Sequence, residues 1–113
     1  MRPEDRAYLQ DMLSFAEKVR GRMAGVDRAE LEADEDLQLI LTILLQRIGE
    51  AARNVSRPGR DDLPDVRWTD IIGMRHRLTH DYRHVKLSYL WRAATEAVPE
   101  LIAQLEGALA SDG

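Results

Sequence analysis

The chain has 113 residues, 44% apolar, 32% charged and 5% aromatic, a size suited to one domain and a balance that supports a packed aliphatic core, which excludes disorder throughout. Sixteen basic against twenty acidic side chains give a formal charge of −4, too little positive charge for a protein that grips nucleic acid over its whole surface. With no cysteine, disulfides, thiolate nucleophiles and zinc–thiolate sites are excluded, and a reducing cytoplasm is the natural compartment.

Apolar spacing predicts four helices, and nothing alternates with period two for long enough to form a strand. The expected class is all-α, an up-and-down bundle of four main helices in a single domain, 1–113. The first helix runs from about Pro3 to Met23, with Glu4 and Asp5 at its positive end and Leu9, Met12, Leu13, Ala16, Val19 and Met23 on one stripe. Asp27 and Glu30 have capping-box spacing, and a second helix is expected from there to about Ser56, opening on a solvated acidic run, Glu30 to Asp36.

At about 100° per residue, Leu37, Ile40, Leu41, Leu44, Leu45, Ile48, Ala51, Ala52 and Val55 share one broad apolar arc of this second helix. Almost opposite, Leu39 and Ile43 begin a second stripe that Gln46, Glu50 and Asn54 continue. A helix covered on two sides is either central to the core or part of a subunit contact. Residues 57–65, with Pro58-Gly59 and Pro64, read as a loop. A third helix starts near Thr69 or Asp70 and runs to about His80–Tyr82. The fourth spans about Ser88–Ala110 with Leu90, Ala94, Ala97, Leu101, Leu105 and Ala108 on its stripe and a kink at Pro99. The longest apolar run, Leu39–Ile43 with its flanks, is far shorter than the roughly 20 residues that cross a bilayer, and the charged opening Met1–Arg6 has no apolar stretch behind it, so neither a membrane span nor a signal peptide is expected.

The chemistry concentrates on the third helix. With Arg75 at zero on the helical wheel, Ile71, Leu78 and Tyr82 fall between about −60° and −20° and Thr79 and Ile72 at about 40° and 60°. Arg75 is therefore centred on the apolar face, where a guanidinium must either meet a carboxylate or line a cleft that holds an anion. Glu50, on an otherwise apolar stripe, is the obvious carboxylate. His76 and His80 lie at about 100° and 140°, sharing an edge with Arg75. Two histidines one turn apart can chelate a metal, with His84 as a third donor, but Arg77 stands where a helix-borne metal motif needs Glu, so no metal or other cofactor is expected.

Arg75-His-Arg-Leu-Thr-His80-Asp-Tyr82 resembles the Arg-x4-His-x-Tyr motif of HepT-like toxins in the HEPN superfamily of all-α ribonucleases. The flanks resemble the family too: Ile48-Gly-Glu-Ala-Ala52, Trp68-Thr-Asp-Ile-Ile-Gly-Met-Arg75 and Val98-Pro-Glu-Leu101. The resemblance implies a homodimeric, metal-independent RNA endonuclease, the toxin of a type VII-like toxin–antitoxin pair, whose partner is a nucleotidyltransferase antitoxin that adds AMP to Tyr82. Cleavage without metal needs a base for the 2′-hydroxyl, an acid for the leaving 5′-oxygen and a cation for the phosphorane. Arg75 and His80 supply the cation and an imidazole, and a two-fold dimer would supply each twice. His76 and Glu50 are supporting residues. A non-catalytic helical partner of a nucleotidyltransferase, with Arg75 and Glu50 as a structural pair, is the alternative.

The net charge conceals a division. Residues 1–50 carry seven basic and eleven acidic side chains, residues 51–92 nine and five, and residues 93–113 none and four. The basic middle surrounds the motif, which suits local attraction of an RNA backbone and predicts activity that falls as salt rises.

Overall fold

The computed structural model describes residues 1–80 and 87–112, with side chains given for these except Thr79 and His80. The described residues form seven α-helices: α1 (Pro3–Met23), α2 (Arg28–Ala33), α3 (Glu35–Asn54), α4 (Arg57–Asp61), α5 (Trp68–His80), α6 (Leu87–Arg92) and α7 (Val98–Asp112), with a π-helical turn, Ala93–Ala97, joining the last two. Among the described residues there is no strand, and no helix is long and apolar enough to cross a membrane. The all-α bundle is as the apolar periodicity predicts. α1 packs against α3 and α7, and α3 packs in turn against α5, which makes α3 the central element.

Two predicted boundaries are corrected. The expected second helix is divided at Asp34, whose extended backbone (φ −113°, ψ 92°) ends α2 and whose side chain accepts the Leu37 N–H to start α3. Asp27 and Glu30 form the predicted capping box on α2. The expected loop at 57–65 contains α4, because the Ser56 hydroxyl oxygen accepts the Gly59 N–H and Pro58 suits a first turn.

Burial matches the predicted arcs closely. Leu9, Met12, Ala16, Val19 and Met23 of α1 meet Leu37, Leu41, Leu45, Ile48, Ala51 and Ala52 of α3 in the core. Asp5 stands in the first turn of α1, as predicted, and it is also buried, at 3% exposure. One of its carboxylate oxygens accepts the Ser56 N–H at 2.8 Å and the other the Ser56 hydroxyl at 2.6 Å. Gly59 makes room for this clamp, since a Cβ there would stand 2.6 Å from Asp5 Oδ2. The first turn of α1 is thus tied to the end of α3, so the two helices run antiparallel. Arg6 makes a second tie from α1, donating to Asp112 at 2.7 Å and to the Leu109 carbonyl in the last turn of α7.

The last helical stretch passes Pro99 without ending. Val98 N–H donates to the Ala93 carbonyl, the five-residue spacing of a π turn. This turn shifts the rotational phase of α7: Ala97, predicted on the buried stripe, is exposed, and Val98 takes the core position at 1% exposure.

Candidate active site

Glycine at position 49 lets two backbones meet. A Cβ on Gly49 would lie 2.8 Å from the Ile71 carbonyl oxygen and 3.3 Å from the Arg75 amide nitrogen, so α3 and α5 touch where the next residue of α3, Glu50, faces Arg75. Arg75 Nε lies 3.0 Å from Glu50 Oε2, and Arg53 Nη1 approaches the same oxygen to 3.9 Å. Oε2 itself is shielded from solvent, yet among the described residues it receives no aligned hydrogen bond. The contact is therefore an ion pair rather than a directed hydrogen bond. With the two side chains 51% and 47% exposed, solvent screens it, and a pair of this kind contributes at most about 1 kcal/mol to stability.

The first of the two sequence alternatives for Arg75 is met, a carboxylate partner, with the side chain exposed rather than enclosed by the apolar face. Its aliphatic stem rises from a helix whose neighbours Ile71, Met74 and Leu78 are buried, while its half-exposed head meets a carboxylate and still faces water. A guanidinium held at one edge and open elsewhere suits bidentate contact with a phosphate.

Arg75 and Glu50 are thus brought together. His76 is exposed on the next position of α5, and His80 is the last residue of that helix. The side chain of His80 and all of Tyr82 and His84 lie outside the described residues, as does the predicted continuation of the helix to Tyr82. Among the described residues, no three His, Asp or Glu side chains gather as a metal-ligand set.

On the other side of α5 lies a cleft of about 1030 Å³, floored by Ile71, Met74 and Leu101 and rimmed by His76, Arg77 and Arg92. The Arg77 guanidinium sits 5.7 Å from the centre of the Tyr89 ring. Burial raises the Tyr89 phenol above its ordinary 10.0, against the lowering effect of Arg77. Sequence periodicity missed this cleft because it reports which residues are apolar, and these close on the core without α5 packing along α7. It also missed Arg53 as a neighbour of Glu50, although the spacing i, i+3 on one helix was the available signal.

The all-α bundle and the match to a family model together place the chain among HEPN-type proteins. The chain belongs to the ribonuclease HepT-like family, whose model matches residues 12–108. It is similar to a protein of Caldanaerobacter subterraneus named "Putative RNase", at 31% identity over 89% of this chain and 90% of the relative. A Methanocaldococcus jannaschii protein, also named "Putative RNase", is 29% identical over 89% of this chain and 93% of its own. A Thermococcus cleftensis protein named "Probable ribonuclease HepT" is 26% identical over 94% and 96%. No solved structure matches the chain significantly.

Proposed function

We propose that the whole chain, 1–113, acts as one HEPN domain that cleaves RNA at a homodimer cleft without a metal ion, with Arg75 and His80 catalytic. The observation that carries this reading is the half-exposed Arg75 guanidinium held on one edge by Glu50. In the cleavage step the 2′-oxygen attacks phosphorus, its proton passes to an imidazole, the phosphorus–5′-oxygen bond breaks and the 5′-oxygen takes a proton from a second imidazole. The product carries a 2′,3′-cyclic phosphate. His80 from each of two protomers provides the two imidazoles, Arg75 stabilises the phosphorane, Glu50 orients Arg75, and His76 binds phosphate or serves as acid.

The face of α3 beyond Glu50 supports a dimer. Leu39 and Ile43 are 55% and 50% exposed and lie on one line with Gln46 and Glu50 at helical spacing. A second copy covering this line would bring two Arg75 residues to one cleft. The toxin reading adds a nucleotidyltransferase antitoxin, working in the cytoplasm, that attaches AMP to Tyr82: the phenol oxygen attacks the α-phosphorus of ATP and pyrophosphate leaves. The added phosphate and bulk would exclude RNA. The membership of the ribonuclease HepT-like family and its RNase-named relatives support the RNA substrate.

The Arg75–Glu50 contact also suits the alternative, a non-catalytic partner of a nucleotidyltransferase in which this pair is structural. Cleavage of RNA by wild type and His80→Ala in the presence of chelator separates the two. The enzyme reading requires cyclic-phosphate products from the wild type and their loss in the variant; no cleavage by any wild-type preparation supports the alternative. Intact-mass analysis after co-expression with the nucleotidyltransferase, with Tyr82→Phe as comparison, tests the modification.

A further inference from the structure

Resting on the ribonuclease reading, we propose that Arg53 is a second phosphate-binding residue of the site, acting on the RNA backbone beside Arg75. Arg53 and Arg75 come from different helices, α3 and α5, yet both guanidiniums converge on one oxygen, Glu50 Oε2, at 3.9 and 3.0 Å. One carboxylate offsets one of the two positive charges, so the trio carries a net charge of +1. That matches a single phosphodiester.

The two side chains are 60% and 51% exposed, so an incoming phosphate meets them without displacing core residues. Glu50 lies between them and keeps both pointed to one place, which lowers the ordering cost of binding. The backbone beneath Arg53 is fixed as well: Arg60 donates through Nη2 to the Arg53 carbonyl at 2.8 Å and through Nε to the Val55 carbonyl at 3.1 Å. The end of α3 is thereby held where its unpaired carbonyls would otherwise fray. Arg60 is occupied in this capping, whereas Arg53 offers its side chain outward. The positive surplus of residues 51–92 supplies a favourable field around the trio.

The test uses a short fluorescein-labelled single-stranded RNA of mixed sequence, with binding read by anisotropy across a salt series in the His80→Ala background, so that the probe stays intact. Arg53→Gln is expected to weaken binding about tenfold at low salt, the loss of one charge-assisted contact, and to reduce the slope of log affinity against log salt by about 0.7, one phosphate contact on a single strand. Arg53→Lys should keep the slope and recover most of the affinity. Arg22→Gln removes the same charge from the last turn of α1, at the opposite end of the antiparallel pair, and should leave the slope unchanged. An Arg53→Gln slope and affinity equal to those of the parent would overturn the role of Arg53, as would an equal loss in Arg22→Gln. If wild type neither binds nor cuts RNA, the ribonuclease reading fails and this inference with it; wild-type cleavage with normal Arg53→Gln binding sinks the inference alone.

Discussion

Gly49 and Ile71 are in backbone contact across two helices, with space for a hydrogen but not for a methyl group on Gly49. Alanine is the better helix former by about 1 kcal/mol, but the obstacle here is a carbonyl oxygen on a packed helix, which cannot swing aside. Gly49→Ala is therefore expected to cost a net 1–3 kcal/mol, roughly the range for overpacking, and to move α5 and Arg75 away from Glu50. Denaturant unfolding and RNA cleavage measured together check this: both should fall, and a more stable, fully active variant would show that α3 and α5 are not closely fitted.

Glu50 offers a contrasting case, with more effect on chemistry than on folding. Its pair with Arg75 is half-exposed, so Glu50→Gln should change stability by less than about 1 kcal/mol. Loss of the orienting charge should lower kcat/KM about tenfold, a modest share of transition-state stabilisation. Thermal melts set beside cleavage kinetics distinguish this from a purely structural pair, which would leave kinetics tracking stability.

Asp5 predicts acid sensitivity. Burial by itself would raise its carboxyl pKa, but hydrogen bonds from the Ser56 hydroxyl and amide, aided by the charge of Arg2, hold it below the ordinary 3.8. A depressed folded-state pKa contributes stability that is fully present above the unfolded value and is lost as pH falls through the folded one. Wild type should therefore lose stability more steeply than Asp5→Asn below about pH 4, the region of that ordinary value. At neutral pH, Asp5→Ala should cost roughly 2–4 kcal/mol through two charge-assisted bonds and an orphaned amide. Urea midpoints across an acidic pH series measure both.

Leu39 and Ile43 test the dimer. Because both are half-exposed, the double substitution Leu39→Asp, Ile43→Asp should leave the fold intact by circular dichroism. Light scattering is then expected to report a dimer for wild type and a monomer for the double variant, with cleavage lost alongside. A dimeric, active double variant would place the subunit contact elsewhere.

Much of this was legible in the sequence because burial in a helical bundle keeps the period of the helix. The arcs on α1 and α3 emerge as the wheel places them, and Arg75 and Glu50, each a charge on an otherwise apolar stripe, prove to be neighbours. The break at Asp34 was hidden because an aspartate is as acceptable inside an acidic helix opening as at a cap. Asp5 was hidden for a similar reason: its clamp is made by Ser56, fifty-one positions away, and local patterns carry no record of such partners. The closeness at Gly49 also depends on the facing helix, so the glycine alone does not announce it.

The π turn at Ala93–Ala97 makes the last helix a matter of rotational phase. One extra residue in a turn corresponds to about 100° of rotation, and it is this offset that lets the Leu90 side and the Val98 side both face inward. Removing one residue from the turn would leave seven steps between these two positions, about 700° in a regular helix, so both sides would still face inward and Tyr89 would stay in line with Arg77. The turn is thus where this helix can lose a residue and keep its wall of the cleft, whereas the same deletion within α6 or α7, with the turn kept, would rotate one side against the other by about 100°.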